Sequence, residues 1–268
     1  MFKEKTKIGI VGLGFVGTAV RDSLDDLFCE LVLVDPPKGL PNTYKDLKDC
    51  EGVFVCVPSP STADGSCDTT ILESVLEELK DFAGVIISKT TAPPDVYERL
   101  SIKHKNLVHA PEFLTAANAS RDYALGKFAI IGGSIPAWIR EAERLIRMGQ
   151  TLLTDIKYCT PAQASFAKYT INCFLATKVV FMNEIFQLCK NTGEDYNKIA
   201  ELVQLDPRLG NSHFKVPGPD GALGFGGMCF PKDTSALIRY AECHDANLNV
   251  IDSAVKKNLL LRLTNLPK

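Results

Sequence analysis

The sequence predicts an α/β protein in two parts, a doubly wound parallel sheet followed by an all-helical domain. Two observations carry this. Short apolar runs alternate with helical stretches from Lys7 to about Ile131, as strands joined by crossover helices do. From Pro161 onward the pattern turns helical and stays so.

The first apolar strand, Lys7 to Val11, runs directly into Gly12-Leu13-Gly14-Phe15-Val16-Gly17. A G-x-G-x-x-G run between a strand and a helix, here reaching about Leu27, is a dinucleotide-binding arrangement. Its glycines permit the tight turn and let the backbone approach a pyrophosphate at the helix start. A second strand, Glu30 to Val34, ends at Asp35, 23 residues after Gly12. A carboxylate there can accept hydrogen bonds from both hydroxyls of an adenosine ribose and repels a 2′-phosphate, which favours NAD over NADP. Lys38, close by, works against that preference.

Next come a strand at Gly52 to Val57, a turn-rich stretch from Pro58 to Ser66, a helix near Thr70 to Lys80 and a strand at Gly84 to Ser88. Further strands are expected at Leu107 to His109 and Phe128 to Ile131. Together with the glycine run this is a Rossmann-type pattern, in which loops after the strands gather at one sheet edge and bind ligand. Three such loops carry hydroxyls or a carboxylate: Pro58-Ser59-Pro60-Ser61, Lys89-Thr90-Thr91-Ala92-Pro93-Pro94 and Ala110-Pro111-Glu112-Phe113-Leu114. Ordinary turn and cap roles would also explain any one of them.

Pro161 through Lys190 reads as one helix about 45 Å long with apolar residues around most of its circumference. Such a helix must be buried on several sides, and a symmetric homodimer packed along residues 161–190 would achieve that. Lys168 and Asn172 stand four apart on one face, costly to bury without a partner. Farther on, Gly224-Phe225-Gly226-Gly227-Met228-Cys229-Phe230-Pro231-Lys232-Asp233 sets a thiol between a glycine loop and a helix that Pro231 can begin. Cys229 is then expected just ahead of a helix N-terminus, whose dipole favours thiolate. Lys232 adds positive charge there and Asp233 a candidate acid or base.

With 268 residues the chain exceeds the usual single-domain length, and the pattern change divides it into 1–156 and 157–268. A net charge of −2 gives no electrostatic case for nucleic acid or an anionic membrane as partner. Nine cysteines without a C-x-x-C pair argue against a disulfide framework and a zinc site, and suit a reducing cytoplasm. Neither a signal-peptide core nor an apolar run of the ~20 residues needed to cross a bilayer is present.

Seven segments in register then resemble a known family. They are Gly12 to Gly17, Val57-Pro58-Ser59-Pro60 with Asp64-Gly65 and Asp68, Thr90-Thr91-Ala92-Pro93, Pro111 to Leu114, Lys168 to Asn172, Asp206-Pro207-Arg208-Leu209-Gly210, and Gly224 to Asp233. Their order is similar to that of the UDP-glucose/GDP-mannose dehydrogenases, which oxidise the C6 alcohol of a nucleotide sugar to a carboxylate and reduce two NAD. The resemblance implies that Cys229 attacks the C6 aldehyde, giving a thiohemiacetal and then a thioester that water cleaves. It implies oxyanion stabilisation by Lys168 and Asn172, proton transfer by Glu112 and Asp233, and a positioning role for Thr91. Cofactor contacts would extend to Val57, Pro58, Ser59, Thr90, Thr91 and Lys232. Substrate contacts would include Phe113, Leu114, Lys168, Asn172, Arg208, Lys215, Phe225, Gly226 and Gly227.

The chain also departs from the family pattern. Ala116 stands where a second glutamate usually lies near the nicotinamide, and the stretch Val216 to Leu223 is longer than in many members. After a last helical stretch, Val250 to Leu263, nothing is left to build the nucleotide-gripping domain that members usually carry. Weak nucleotide-sugar binding, a separate nucleotide-binding partner and a smaller alcohol substrate all remain open. Two further functions compete with the four-electron oxidation: a two-electron hydroxy-acid-type dehydrogenase and a non-catalytic NAD-binding dimeric partner.

Overall fold

The computed structural model describes residues 4–264, so the outermost residues of the spans 1–156 and 157–268 lie outside the described residues. The chain forms two compact units, residues 4–60 with 67–168 and residues 61–66 with 169–264. Apart from residues 61–66, the first unit runs on past residue 156 to Lys168. Local packing explains the extension. A last strand, Asp155–Cys159, completes the sheet of the first unit, and the next helix begins against it: Ala164 is fully buried and Ser165 Oγ donates to the Ala92 carbonyl.

The first unit is a seven-stranded sheet: β1 (Thr6–Val11), β2 (Cys29–Val34), β3 (Gly52–Val55), β4 (Val85–Ser88), β5 (Leu107–His109), β6 (Phe128–Gly133) and β7 (Asp155–Cys159). Its strand order is β2-β1-β3-β4-β5-β6-β7. Every residue of β3 and β4 is buried, as strands covered on both faces require. The side-chain period of two sorts them. Ile8, Ile10, Phe54 and Ile87 face one side, with Ala19 and Val20 of α1 (Phe15–Ser23) and Leu145 and Ile146 of α5 (Pro136–Gly149). Val53, Val55 and Ile86 face the other, with Leu72 and Leu76 of α2 (Thr70–Glu78) and Tyr97 and Leu100 of α3 (Pro94–Lys103). Each fully buried side chain of this size contributes roughly 1.5–3 kcal/mol.

The doubly wound, mostly parallel sheet stands as expected, with one added detail, and the extent of the first helix needs correction. The sheet is not parallel throughout, because β6 runs antiparallel to β5, with β7 parallel to β6. The connection between β5 and β6 has only a short 3-10 turn and the six-residue α4 (Ala119–Ala124), and it stays at the carboxyl edge of β5. The next strand must therefore enter from that edge and run back. The first helix also stops at Ser23 rather than near Leu27. Asp25 accepts the Leu27 N–H at 2.8 Å, a side-chain turn that competes with another helical turn.

The second unit is helical, comprising most of α6 (Pro161–Thr192), then α7 (Tyr196–Val203), α8 (Cys229–Glu242) and α9 (Asn249–Leu263). One core gathers Met182, Tyr196, Phe214 and Val216, and a second gathers Ala176, Val180, Phe225 and Leu261. Along α6 the buried residues recur at spacings of three and four: Ala164, Ser165, Lys168, Tyr169, Asn172, Cys173, Ala176 and Val180. Phe174, Phe181 and Leu188, seven apart, are exposed on it.

Candidate active site

In the first unit the chain order reverses between β1 and β3, and ligands bind such sheets outside the carboxyl ends of the strands at that point. Both loops expected to hold a dinucleotide leave from there. Gly12 has φ +86°, and a Cβ on it would meet the Cys56 carbonyl oxygen at 2.9 Å. A Cβ on Gly17 would collide with the Gly12 carbonyl, so only glycine lets α1 start this close to β1. Gly14 has open space around it and precedes α1 with no side-chain cap, so the first N–H groups of the helix point where a diphosphate can take them. Phe15 is exposed, Val16 half-buried and Leu13 buried.

Asp35 is buried and accepts the Leu13 N–H at 2.7 Å through Oδ2, which fixes the loop. Its Oδ1 has no hydrogen bond within the described residues and suits a ribose hydroxyl. Lys38 donates to the Leu13 carbonyl at 2.5 Å, so its charge is held on the loop. These residues fit an adenosine diphosphate with a free ribose.

The loops after β3 and β4 are stitched together. Ser59 Oγ donates to the Thr91 carbonyl at 2.5 Å and Thr90 Oγ1 to the Val57 carbonyl at 2.8 Å, while Pro58 is exposed. The hydroxyls of Ser59 and Thr90, expected at the cofactor, thus brace the loops. Beneath them Tyr97 joins Ser88 Oγ at 2.6 Å and the Thr90 carbonyl at 2.5 Å, and stacks on His109 with centroids 3.7 Å apart. Burial pushes His109 down to about 3, so it stays neutral.

Lys168, near the start of α6, is 4% exposed. Its ammonium donates to the Glu112 carbonyl and, at 3.0 Å, to Glu112 Oε1, and it lies 5.2 Å from the Phe113 ring centroid. Glu112 Oε2 is buried without a partner among the described residues. Lys89 carries no sequence signal of its own. It follows β4 in a loop singled out for its hydroxyls, yet it is as deeply buried as Lys168. Desolvation pushes it down to about 8.

In the second unit Cys229 is the first residue of α8 rather than a residue ahead of it, which places Pro231 third, where its missing N–H is still no loss. Burial separates it from most other thiols: Cys56 and Cys173 are pushed up to about 12 and Cys50 to about 11. Cys243 is also exposed, but it caps the opposite, negative end of α8, and only the first end attracts an anion. One turn on, Asp233 is 1% exposed and accepts from Asn172 Nδ2 and from Lys232 Nζ, both at 2.6 Å. Lys232, expected at the cofactor, is thus engaged with Asp233.

The glycine loop ahead of Cys229 is pinned by residues with no motif to flag them. Asn183 Oδ1 accepts the Gly224 N–H at 3.0 Å and Asn258 Oδ1 the Phe225 N–H at 2.7 Å. Arg262 Nε donates to the Phe225 carbonyl at 2.9 Å. Phe225, expected to face substrate, is turned into the core, and its backbone is already engaged. Gly226 is half-buried against Arg262, while Gly227, with φ +73°, has open space beside it. Arg208 is bound to Asp206 at an exposed turn, and Lys215 is exposed. Leu114 lines a small cavity in the first unit with Phe113.

Known proteins carry the same organisation. The family model for the UDP-glucose/GDP-mannose dehydrogenase family, NAD binding domain, matches residues 40–148, and that for the central domain matches residues 162–259. A UDP-glucose 6-dehydrogenase of Rickettsia bellii is 31% identical over 229 residues, 80% of this chain and 50% of its own length. The chain spans about half the length of the curated relatives it matches first, apart from a longer overlap with one of Bacillus subtilis. The structure of a UDP-glucose dehydrogenase from the archaeon Pyrobaculum islandicum superposes with a TM-score of 0.80 at 24% identity, covering 96% of this chain and 68% of that one. A 3-hydroxyisobutyrate dehydrogenase of Mycobacterium tuberculosis shares the fold with a TM-score of 0.72 at 16% identity, over 94% of this chain and 92% of that one. NAD is the cofactor of the matched N-terminal domain, in keeping with the glycine cradle and Asp35. Two successive domains of one family, matched in their order along the chain, lead to one conclusion: the chain belongs to the UDP-glucose/GDP-mannose dehydrogenase family.

Proposed function

We propose that this chain carries out the NAD-dependent, four-electron oxidation of the C6 alcohol of a nucleotide sugar to the uronate, with UDP-glucose the first candidate. The observation that carries this reading is the start of α8, where an exposed Cys229 is followed after one turn by a buried Asp233 that Asn172 and Lys232 hold. A thiol so placed suits addition to a carbonyl, and a carboxylate so held suits proton transfer or the orientation of water.

NAD, when bound, accepts the hydride in each of the two oxidations. The residues of the chain do the rest. The Lys168 ammonium has three N–H donors and gives two to Glu112, and the Asn172 amide has two and gives one to Asp233. Each therefore keeps a donor for the C6 oxygen as negative charge develops on it. Glu112 takes up a proton from the reacting alcohol or, later, from the attacking water. The Cys229 sulfur bonds to the aldehyde carbon, and the oxygen gains a proton to give a thiohemiacetal. Loss of a second hydride and a proton leaves the thioester. Water, oriented by Asp233 and Thr91, adds to that carbon and expels the Cys229 thiolate, giving the carboxylate.

Stoichiometry tests this. Purified protein given NAD and a panel of UDP- and GDP-sugars should form two NADH per sugar consumed, and Cys229→Ser should stop short of the acid. Full uronate production by Cys229→Ser would sink the thioester route. The second reading, a two-electron hydroxy-acid-type dehydrogenase, is favoured by the fold shared over 92% of the Mycobacterium tuberculosis enzyme. It requires one NADH per substrate and indifference to Cys229→Ser. We further propose that two copies pair along the exposed Phe174–Phe181–Leu188 face of α6.

A further inference from the structure

We propose that Lys89 stores the proton that Glu112 takes up, the two groups exchanging it through water in one small cavity of the first unit. The role in turnover rests on the dehydrogenase reading above; the pairing of the two groups does not. Both line a cavity of about 60 Å³, walled by Phe113, Leu114, Tyr123 and Phe128. That volume has room for about two waters. Each of the two lining residues also has unfilled hydrogen-bonding capacity. Glu112 gives Oε1 to Lys168 and leaves Oε2 buried and bare, while the Lys89 ammonium meets no acceptor among the described residues and lies 5.4 Å from the Tyr123 ring centroid. A buried ammonium without an acceptor is costly, and water or a carboxylate is the chemistry that relieves it.

The neighbours do not compete for the proton. Cys56, at the end of β3, is pushed up to about 12 by burial, Tyr123 of α4 is pushed up as well, and His109 of β5 is pushed down to about 3. Lys168 of α6 is engaged with Glu112, Asp122 accepts from Thr115, and Lys127 sits at the exposed rim. Lys89, pushed down to about 8 by desolvation and drawn back upward by Glu112, lines this cavity and changes charge near pH 8. The transfer balances without electrons. Protonated Glu112 gives its proton to a water, and that water gives one to the neutral amine. The products are a carboxylate and an ammonium, which returns the proton to bulk water at the rim beside Lys127 and Phe128.

The pairing is tested without turnover. Lysines of the intact protein are reductively methylated with 13C, the Lys89 signal is assigned by its loss in Lys89→Arg, and its shift is followed against pH. The expected midpoint lies near 8 and moves lower in Glu112→Gln, which removes the negative charge that holds it up. A midpoint near the ordinary lysine value, or one that Glu112→Gln leaves unmoved, overturns the proposal; the wild-type titration decides even if a variant fails to fold. In turnover, Lys89→Met should slow NADH formation on the order of tenfold near pH 8 with KM unchanged, and added imidazole should restore part of the rate. An unchanged pH–rate profile in Lys89→Met also overturns it. If wild type oxidises no nucleotide sugar, the dehydrogenase reading fails while the titration still decides the pairing.

Discussion

Single atoms set the terms of the first unit. The hydrogen that stands in place of a Cβ at Gly17 is what lets α1 begin against the Gly12 carbonyl, and a backbone oxygen cannot rotate away. Gly17→Ala should therefore cost about 1–3 kcal/mol in urea unfolding and abolish NAD binding measured by calorimetry. Lys89 gives a second expectation. Its pKa is about 8 in the folded protein against 10.5 for a solvated lysine, so between those values the unfolded chain binds more protons. Its contribution to stability is unfavourable below pH 8 and eases as pH rises toward 10.5. The stability difference between wild type and Lys89→Met should follow that slope in urea titrations across the same window. Much at this scale was legible in the sequence. Gly12, Gly14 and Gly17 declare themselves by their spacing after a strand, and Cys229 because it is flanked by glycines and a proline. Lys89, Asn183 and Asn258 do not, since a lysine or an asparagine in a sequence looks the same whether water or a buried backbone group satisfies it.

Elements were legible where periodicity was strong. The long helix predicted over Pro161 to Lys190 spans Pro161–Thr192, and the buried central strands stand within a residue or two of their apolar runs. The edge strand β7 went unseen because its residues are half-buried or exposed and its sequence, Asp-Ile-Lys-Tyr-Cys, lacks an apolar run. The reversal of β6 was hidden as well, because strand direction depends on where a connection lies in space. For α6 the expected pairing has a plain check. Phe174→Glu with Phe181→Glu puts charge on the exposed face, and light scattering should show a dimer in wild type and a monomer in the double variant. A monomeric wild type would remove the pairing altogether.

At the scale of the whole molecule, the cores of the first unit come with a reporter of their own. The only tryptophan, Trp138, lies in α5 of the first unit and packs against the core that α1 shares. Its fluorescence should lose the native signal at a higher temperature when NAD is added, by the equivalent of about 2.7 kcal/mol at a hundredfold excess over Kd. A melting curve that NAD leaves in place would speak against the cradle. No helix among the described residues is long and apolar enough to cross a membrane.

Lys168 and Asn172 stand four apart on one uninterrupted helix, so the spacing between them is a matter of phase. Inserting one residue between the two would swing the amide by about 100° around the axis and slide it about 1.5 Å along. Lineages of this chain should accordingly tolerate gaps in surface loops far more readily than a single-codon insertion or deletion in that one helical turn.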